Sequence, residues 1–311
     1  MTGYLHPLYA ASLAAGAAPQ RLPRSGAWIL RRPVSGCALD DAVGPYPILA
    51  CADWAGLPAD LAELEGTLVS LSAVADPFGE HTGELLRESF PDLVRPFKEH
   101  SVVDLERPLR DSVSAHHRRN AAKGFAAVDV ERLEDAQLHL GDWIQLYSTL
   151  VSRHQITGVA DFTPESFASQ LAVPGVTAFR AIRAGETVGM LLWYVMGDIA
   201  YYHLGAYSAT GYDQRASFAL FWTALEHFAA EGLRWASLGA GAGVVGSPDD
   251  GLTRFKQGWT TETRTAYFCG RIFDHAAYRD LVLEHGAEGS DYFPAYRGQQ
   301  RVKAQVLLAA R

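Results

Sequence analysis

Apolar residues along the chain fall into two spacings. Short alternating or continuous runs at "AWILRR" (27–32), "YPILAC" (46–51), "LVSLSAV" (68–74) and "AAVDVERL" (126–133) have the period of strands. Two segments, "LPADLAELEGTL" (57–68) and "PLRDSVSAHHRRNAAKG" (108–124), repeat every three to four residues and predict helices, with Gly124 placed to end the second as a C-terminal cap. The pattern restarts near residue 135 with the amphipathic "DAQLHLGDWIQLYSTLVSRHQ" (135–155). In "TPESFASQL" (163–171), Thr163 is an N-cap and Pro164 takes the first helical position. Residues 176–208 predict three antiparallel strands turning at Ala184–Glu186 and Gly197–Asp198. A long helix, "RASFALFWTALEHFAAEG" (215–232), stops at Gly232. Then come strand "RWASLGA", a glycine-rich loop, a short helix holding Arg254 and Lys256, strand "TRTAYFCGRIF" and a closing helix "HAAYRDLVLEHG". These elements predict a mixed α/β (α+β) chain in two halves, 1–135 and 136–311.

Composition narrows the chemistry. With 311 residues and 48% hydrophobic content the chain has ample core material, and a mean hydropathy of −0.03 suits a soluble protein. A net charge of −8 argues against general binding to nucleic acid, though not against a local basic groove. Cys37, Cys51 and Cys269 are widely spaced and form no CxxC or Cys/His pattern, so neither a disulfide framework nor a metal site is expected. No signal peptide is evident, and no apolar run approaches the roughly 18 residues of a membrane span, which predicts a cytoplasmic protein. Serine-hydrolase elbows, HExxH and P-loop sequences are absent. "GAGVVG" (241–246) fits the GxGxxG spacing, but Ser247–Gly251 would break the helix a dinucleotide site needs. The glycines from Gly241 onward therefore read as close backbone approach to substrate, or as a plain turn.

The stretch "GETVGMLLWYVMGDIAYYHLGAYSATGY", the helix ending "EGLRWASLGAGAG", "GLTRFKQGW" and the upstream "SAHHRRNAAKG" together resemble the FemAB-like branch of the GNAT acetyltransferase superfamily, from about residue 70 to 275. The resemblance implies two GNAT-like halves, each a mostly antiparallel sheet flanked by helices. It also implies an N-acyltransferase whose acceptor is an amine on a sugar, peptide or small metabolite. The donor would be acyl-CoA (acetyl-CoA), with charged tRNA as the rival donor and a non-catalytic phosphate-binding relative as the alternative; no metal is implied. One departure stands out: the GNAT pyrophosphate loop would fall at "SATGYDQRASF", where Gly211 is the lone glycine.

Acyl transfer to an amine needs a proton acceptor and donors for the oxyanion. By residue type the candidates are His203, His154 and Lys256, with Glu186 and Asp76 behind them. Strict alternation along the strand would put Tyr201, His203 and Gly205 on one face. Tyr207, Gly211, Tyr212, Arg215, Ala216 and Ser217 lie where the donor would enter. The amides at 215–217 begin a helix and suit phosphate without the loop motif. Arg254 and Lys256 point about 200° apart on a helix, so one at most faces a given ligand. The resemblance favours Lys256 and leaves Arg254 balanced between ligand and solvent. Arg119 shares a helix face with His116, Asn120 and Lys123, where phosphate binding and simple complementation of the helix dipole are equally good explanations.

Overall fold

The computed structural model describes residues 1–156, 158–241 and 251–298, apart from the side chain at 159. In chain order the strands are β1 (Ala18–Arg21), β2 (Trp28–Pro33), β3 (Asp40–Val43), β4 (Ser70–Val74), β5 (Leu93–Asp104), β6 (Asp129–Arg132), β7 (Val176–Arg183), β8 (Glu186–Met196), β9 (Ile199–Tyr207), β10 (Trp235–Gly239) and β11 (Glu262–Ile272). The helices are α1 (Pro7–Ser12), α2 (Leu57–Ala62), α3 (Gly83–Ser89), α4 (Leu109–Ser112), α5 (Ala115–Phe125), α6 (Leu140–His154), α7 (Pro164–Leu171), α8 (Ala209–Asp213), α9 (Ala216–Ala230), α10 (Gly251–Gln257) and α11 (His275–Glu284).

Contact density groups the chain differently from element order. One compact unit comprises residues 1–12 and 98–265, the other 13–97 and 266–311. The division at residue 135 thus falls inside the first unit, because the chain changes unit within β5 and again within β11.

In the first unit β6, β7, β8 and β9 pair antiparallel in succession, β9 pairs β10 in parallel, and β10 pairs β5 antiparallel. One face of this sheet carries α9, whose Ala216, Ala219, Leu220, Phe221, Ala224, Leu225 and Phe228 are buried. They pack with Phe179, Leu191, Trp193 and Trp259. The other face receives Trp143, Leu146 and Tyr147 of α6 and Phe167 and Leu171 of α7 against Met190, Leu192, Leu204 and Ala206. Each fully buried large side chain contributes about 1.5–3 kcal/mol by removal from water. In the second unit β1, β2 and β3 pair antiparallel, β3 pairs β4 in parallel, and β4 pairs β11 antiparallel. Its core gathers Leu49, Trp54, Leu57, Leu71, Phe90 and Cys269. Both units therefore hold one parallel pair inside an otherwise antiparallel sheet.

Several expectations are corrected. "YPILAC" makes one isolated bridge, Leu49 to Ala75, rather than a strand, since Pro47 has no N–H to give a ladder. β5 was not foreseen because Arg95, Pro96, Lys98 and Glu99 interrupt its apolar pattern; its burial is confined to the last five residues. Gly124 lies inside α5 rather than capping it. A Cβ there would sit 2.8 Å from the Arg215 carbonyl oxygen and 3.0 Å from Ala219 Cβ, so the glycine lets α5 approach α9. Replacing Gly124 with Ala gains about 1 kcal/mol of helix propensity but forces backbone apart. The expected net result is a loss of about 1 kcal/mol or more in urea unfolding; a gain would mean that the two helices separate without cost.

Candidate functional site

The parallel pairing of β9 with β10 runs only from Ile199–Trp235 to Tyr201–Ser237. Beyond it β10 shifts register against β5 between Ser237 and Gly239, and Gly239 turns the chain with φ of 70°. No described strand covers that edge of β9 from Tyr202 to Tyr207. On its other edge, β8 Leu192 faces Leu204 and Trp193 faces Tyr202, which leaves His203 as the extra residue of a bulge. The bulge corrects the strict alternation expected along β9. His203 and Leu204 both turn toward α6 and α7, whereas Tyr202 and Gly205 turn toward α9. A Cβ on Gly205 would lie 2.5 Å from the Tyr202 hydroxyl and 3.3 Å from that of Tyr207, so two phenols converge on a spot that glycine keeps open.

Burial, with Tyr202 and Tyr212 nearby, holds the Tyr207 phenol protonated well above its ordinary range. Its ring is 5.3 Å from that of Tyr212, over which Arg153 lies at 4.4 Å. Ser208 Oγ accepts from the Gly211 N–H at 3.1 Å and starts α8. Gly211 is packing-constrained, since a Cβ would stand 2.0 Å from the Val188 carbonyl oxygen. Arg215 then takes a left-handed conformation (φ of 60°) as N-cap of α9, its side chain exposed, with Ala216 buried and Ser217 half-buried behind it. The first-turn amides of such a helix carry partial positive charge.

The helix α10 is held by its neighbours in one rotation. His117 Nε2 donates to the Phe255 carbonyl at 2.8 Å while its Nδ1, 3.0 Å away, accepts from Ser114, the N-cap of α5. Gly258 lies flat on that imidazole: a Cβ would be 2.0 Å from Cε1. Trp259 is fully buried, stacked on Phe221 with ring centroids 5.8 Å apart. This rotation exposes Arg254 and turns Lys256 inward, where it is 5% exposed. Lys256 Nζ donates to the Ala240 carbonyl at 2.5 Å and stands 5.5 Å from the centre of the Tyr202 ring. Lys98 on β5 donates to the next carbonyl, Gly241, at 3.0 Å. His100, two residues along β5, is 8% exposed; burial first, then the charges of Lys256 and Lys98, bring its pKa down to about 3.

The predicted residues divide accordingly. Lys256 and Gly241 come together, joined by Tyr202, Lys98 and His100, which were not picked out from the sequence. Tyr207 stands at the same open edge. His203 lies on the opposite face: its Nδ1 is 3.3 Å from the Tyr4 hydroxyl and its Nε2 3.1 Å from Gln170 Oε1. Gln170 uses its amide to donate to Ser166, so His203 Nε2 is the donor to Gln170 and Nδ1 the acceptor from Tyr4. Burial lowers its pKa to about 3. Tyr201 packs 5.7 Å from the Tyr4 ring in the same aromatic group. His154, the last residue of α6, is exposed, as is Arg119 on α5, where Asn120 bonds back to His116. Residues 242–246 of the glycine-rich run lie outside the described residues. Alternation along β5 would have paired Lys98 with His100, had the strand been recognised.

The family model described as an acetyltransferase (GNAT) domain matches residues 110–257. This segment, just under half of the chain, has the pattern of a GNAT-type acetyltransferase domain, which supports acyl transfer as the class of its chemistry. The GNAT domain contains α5, the meander, α9, β10 and Lys256, and thus most of the open-edge site. Among solved structures the chain is similar to FemX (12% identity, 88% of this chain and 92% of that one, TM-score 0.68). It is similar as well to the C-terminal domain (DUF2156) of a putative lysylphosphatidylglycerol synthetase from Agrobacterium fabrum (16%, 88% and 90%, 0.62). L-PGS from Bacillus licheniformis is a further neighbour (14%, 91% and 96%, 0.58). At these identities the likeness is one of fold, and it extends beyond the GNAT domain over both units. No curated protein matches the sequence. None of the helices among the described residues is long and apolar enough to cross a membrane.

Proposed function

We propose that the protein is an N-acyltransferase that moves an acyl group, in the simplest case acetyl, from acyl-CoA to an amine on a sugar, peptide or small metabolite. The observation that carries this reading is the edge of β9 beyond Tyr201, which no described strand pairs, with Tyr202, Tyr207 and the inward-facing Lys256 around it. An extended acyl donor entering there would pair with the β9 backbone beyond the reach of β10, and its phosphates would meet the first-turn amides of α9 near Arg215, Ala216 and Ser217. The acceptor nitrogen attacks the acyl carbonyl, the carbon–nitrogen bond forms, the carbon–sulfur bond breaks, and the proton lost by the nitrogen ends on the departing thiolate, which leaves as the free thiol. The Tyr207 phenol, which burial keeps protonated, suits donation to the oxyanion or to the departing thiolate, with the Tyr202 hydroxyl beside it, and Lys256 supplies a fixed cation for an anionic or polarised group. His203, with both ring nitrogens engaged on the opposite face, is better explained as a packing residue; we assign it no proton transfer. We retain 1–135 and 136–311 as a proposal for how two GNAT-like copies divide along the chain.

FemAB-like kinship keeps charged tRNA as the rival donor. Thermal-shift titration with coenzyme A and acetyl-CoA separates the two, because a ligand at ~100 times its dissociation constant adds about 2.7 kcal/mol to the native state. A saturable rise in melting temperature is expected. Its absence, with a rise on adding aminoacyl-tRNA, would transfer the assignment to the tRNA-dependent branch, and no response to either would leave a binding module.

A further inference from the structure

A cavity of about 270 Å³ opens at the far end of α9 from the donor amides, between the last turn of that helix and the ends of β6, β7 and β8, all within the first unit. Val195, Phe228 and Leu233 form its apolar wall, and Arg132, Thr177, His227 and Glu231 its polar wall. Strand register explains why these residues meet. Thr177 faces Trp193 across β7 and β8, and Val195 lies two residues beyond Trp193, so both point to the α9 side of the sheet. Arg132 faces Phe179, whose ring centroid stands 5.6 Å from that of His227. Glu231 follows His227 by one helical turn, on the same side of α9. The charges next to them are engaged elsewhere: Glu131 with Arg180, and Arg234 with Asp104 and Glu106. Among the described residues no ion pair or side-chain hydrogen bond occupies Arg132, Thr177, His227 or Glu231. Burial first, then the charge of Arg132, lowers the pKa of His227, with Glu231 opposing. The ring is therefore neutral at pH 7 and offers both an N–H and a lone pair.

We propose that this cavity binds a free α-amino acid with an apolar side chain. Its carboxylate goes to Arg132, whose guanidinium can hold both oxygens, with the Thr177 hydroxyl as a further donor. Its ammonium goes to Glu231 at the C-terminal end of α9, where the helix carries partial negative charge. The side chain covers Phe228, Val195 and Leu233. A ligand of one charge would leave either Arg132 or Glu231 without its partner, which is what selects a zwitterion. The volume lies just under the roughly 300 Å³ at which small-molecule sites begin, so a single amino acid fills it and a peptide or nucleotide does not fit. His227 stands eleven residues along α9 from Ala216, about 17 Å at 1.5 Å per residue. The cavity is thus separate from the amides assigned to the donor, and the proposal does not depend on the acyltransferase reading.

The probe is L-leucine, titrated at pH 7 into the full-length protein labelled in its histidine rings and followed by NMR, with His227→Gln identifying the His227 resonance. That resonance is expected to move saturably, with a dissociation constant below about 1 mM. Glycine, 4-methylpentanoate and 3-methylbutylamine lack the side chain, the ammonium and the carboxylate in turn, and each should bind about tenfold more weakly or worse. Arg132→Met and Glu231→Gln should each weaken leucine by about tenfold, while the melting temperature of the free protein stays unchanged because neither side chain has a partner in the fold. A His227 resonance unmoved by leucine up to about 10 mM, an analogue that binds as tightly as leucine, or an unchanged affinity in Arg132→Met overturns the proposal. Leucine should also bind equally well with coenzyme A present; competition between them would place it in the donor cleft and remove this site. Failure of coenzyme A itself to bind would count against the acyltransferase reading alone.

Discussion

Replacing Lys256 with Met is expected to reduce kcat/KM for acyl transfer about a hundredfold while leaving the melting temperature unchanged or slightly raised. The two halves of this result have separate causes. A charge-assisted bond to an anionic or polarised substrate group is worth about 1.5–3 kcal/mol, which is one to two powers of ten in rate. For the fold, Lys256 is a nearly buried cation bonded to the Ala240 carbonyl, and taking an ammonium out of water is expensive. A methionine of similar length fills the same space beside Tyr202 at no such cost. Steady-state kinetics and a thermal melt on the same preparation decide the matter. Loss of activity in proportion to loss of stability would mean that Lys256 only holds α10 in place, and activity within threefold of the wild type would remove it from the site.

The second large effect is structural and lies one residue turn away. Gly258→Ala should destabilise the protein by about 3 kcal/mol, although a glycine-to-alanine change is usually mild. The new Cβ would be 2.0 Å from Cε1 of His117 and within 2.3 Å of both its nitrogens, and this ring cannot simply swing aside. Both ring nitrogens are bonded, to Ser114 and to Phe255, and the ring packs against Phe218 and Trp259 with centroids 5.0 Å away in each case. Overpacking costs about 1–3 kcal/mol, and each buried hydrogen bond given up adds about 1. Coupling makes the explanation testable by urea unfolding: in a His117→Ala background the clash has no partner, so Gly258→Ala should add less than about 0.5 kcal/mol. A full additional penalty there would show that the glycine is needed for its backbone and not for the ring.

Both predictions explain why "RFKQGW" appears as it does. Phe255 supplies the carbonyl for His117, Gly258 the room for its ring, Trp259 the anchor, and the rotation so defined delivers Lys256 to the open edge of β9. The same rotation leaves Arg254 in solvent.

What the chain's own pattern determined was the local order: the meander of β7, β8 and β9, the Thr163 cap that accepts from Ser166 at 3.2 Å, the long α9 and the short helix bearing Lys256. These follow from periodicities and cap chemistry that act over a few residues, so they are written in neighbouring letters. Tertiary structure decided the rest. The bulge at His203 depends on which β8 residue faces which on β9, and one inserted residue reversed the faces that alternation assigns. β10 accepts the ladder of β5 from Ser101 to Asp104, while charges and a proline disguise the part of the strand ahead of it. Gly124 looked like a helix end and is a contact, a distinction made by the Arg215 carbonyl about ninety residues away. Lys98 and His100 lie more than a hundred positions from Lys256, and electrostatic interactions of that kind depend on distances in space, which no spacing along the chain encodes.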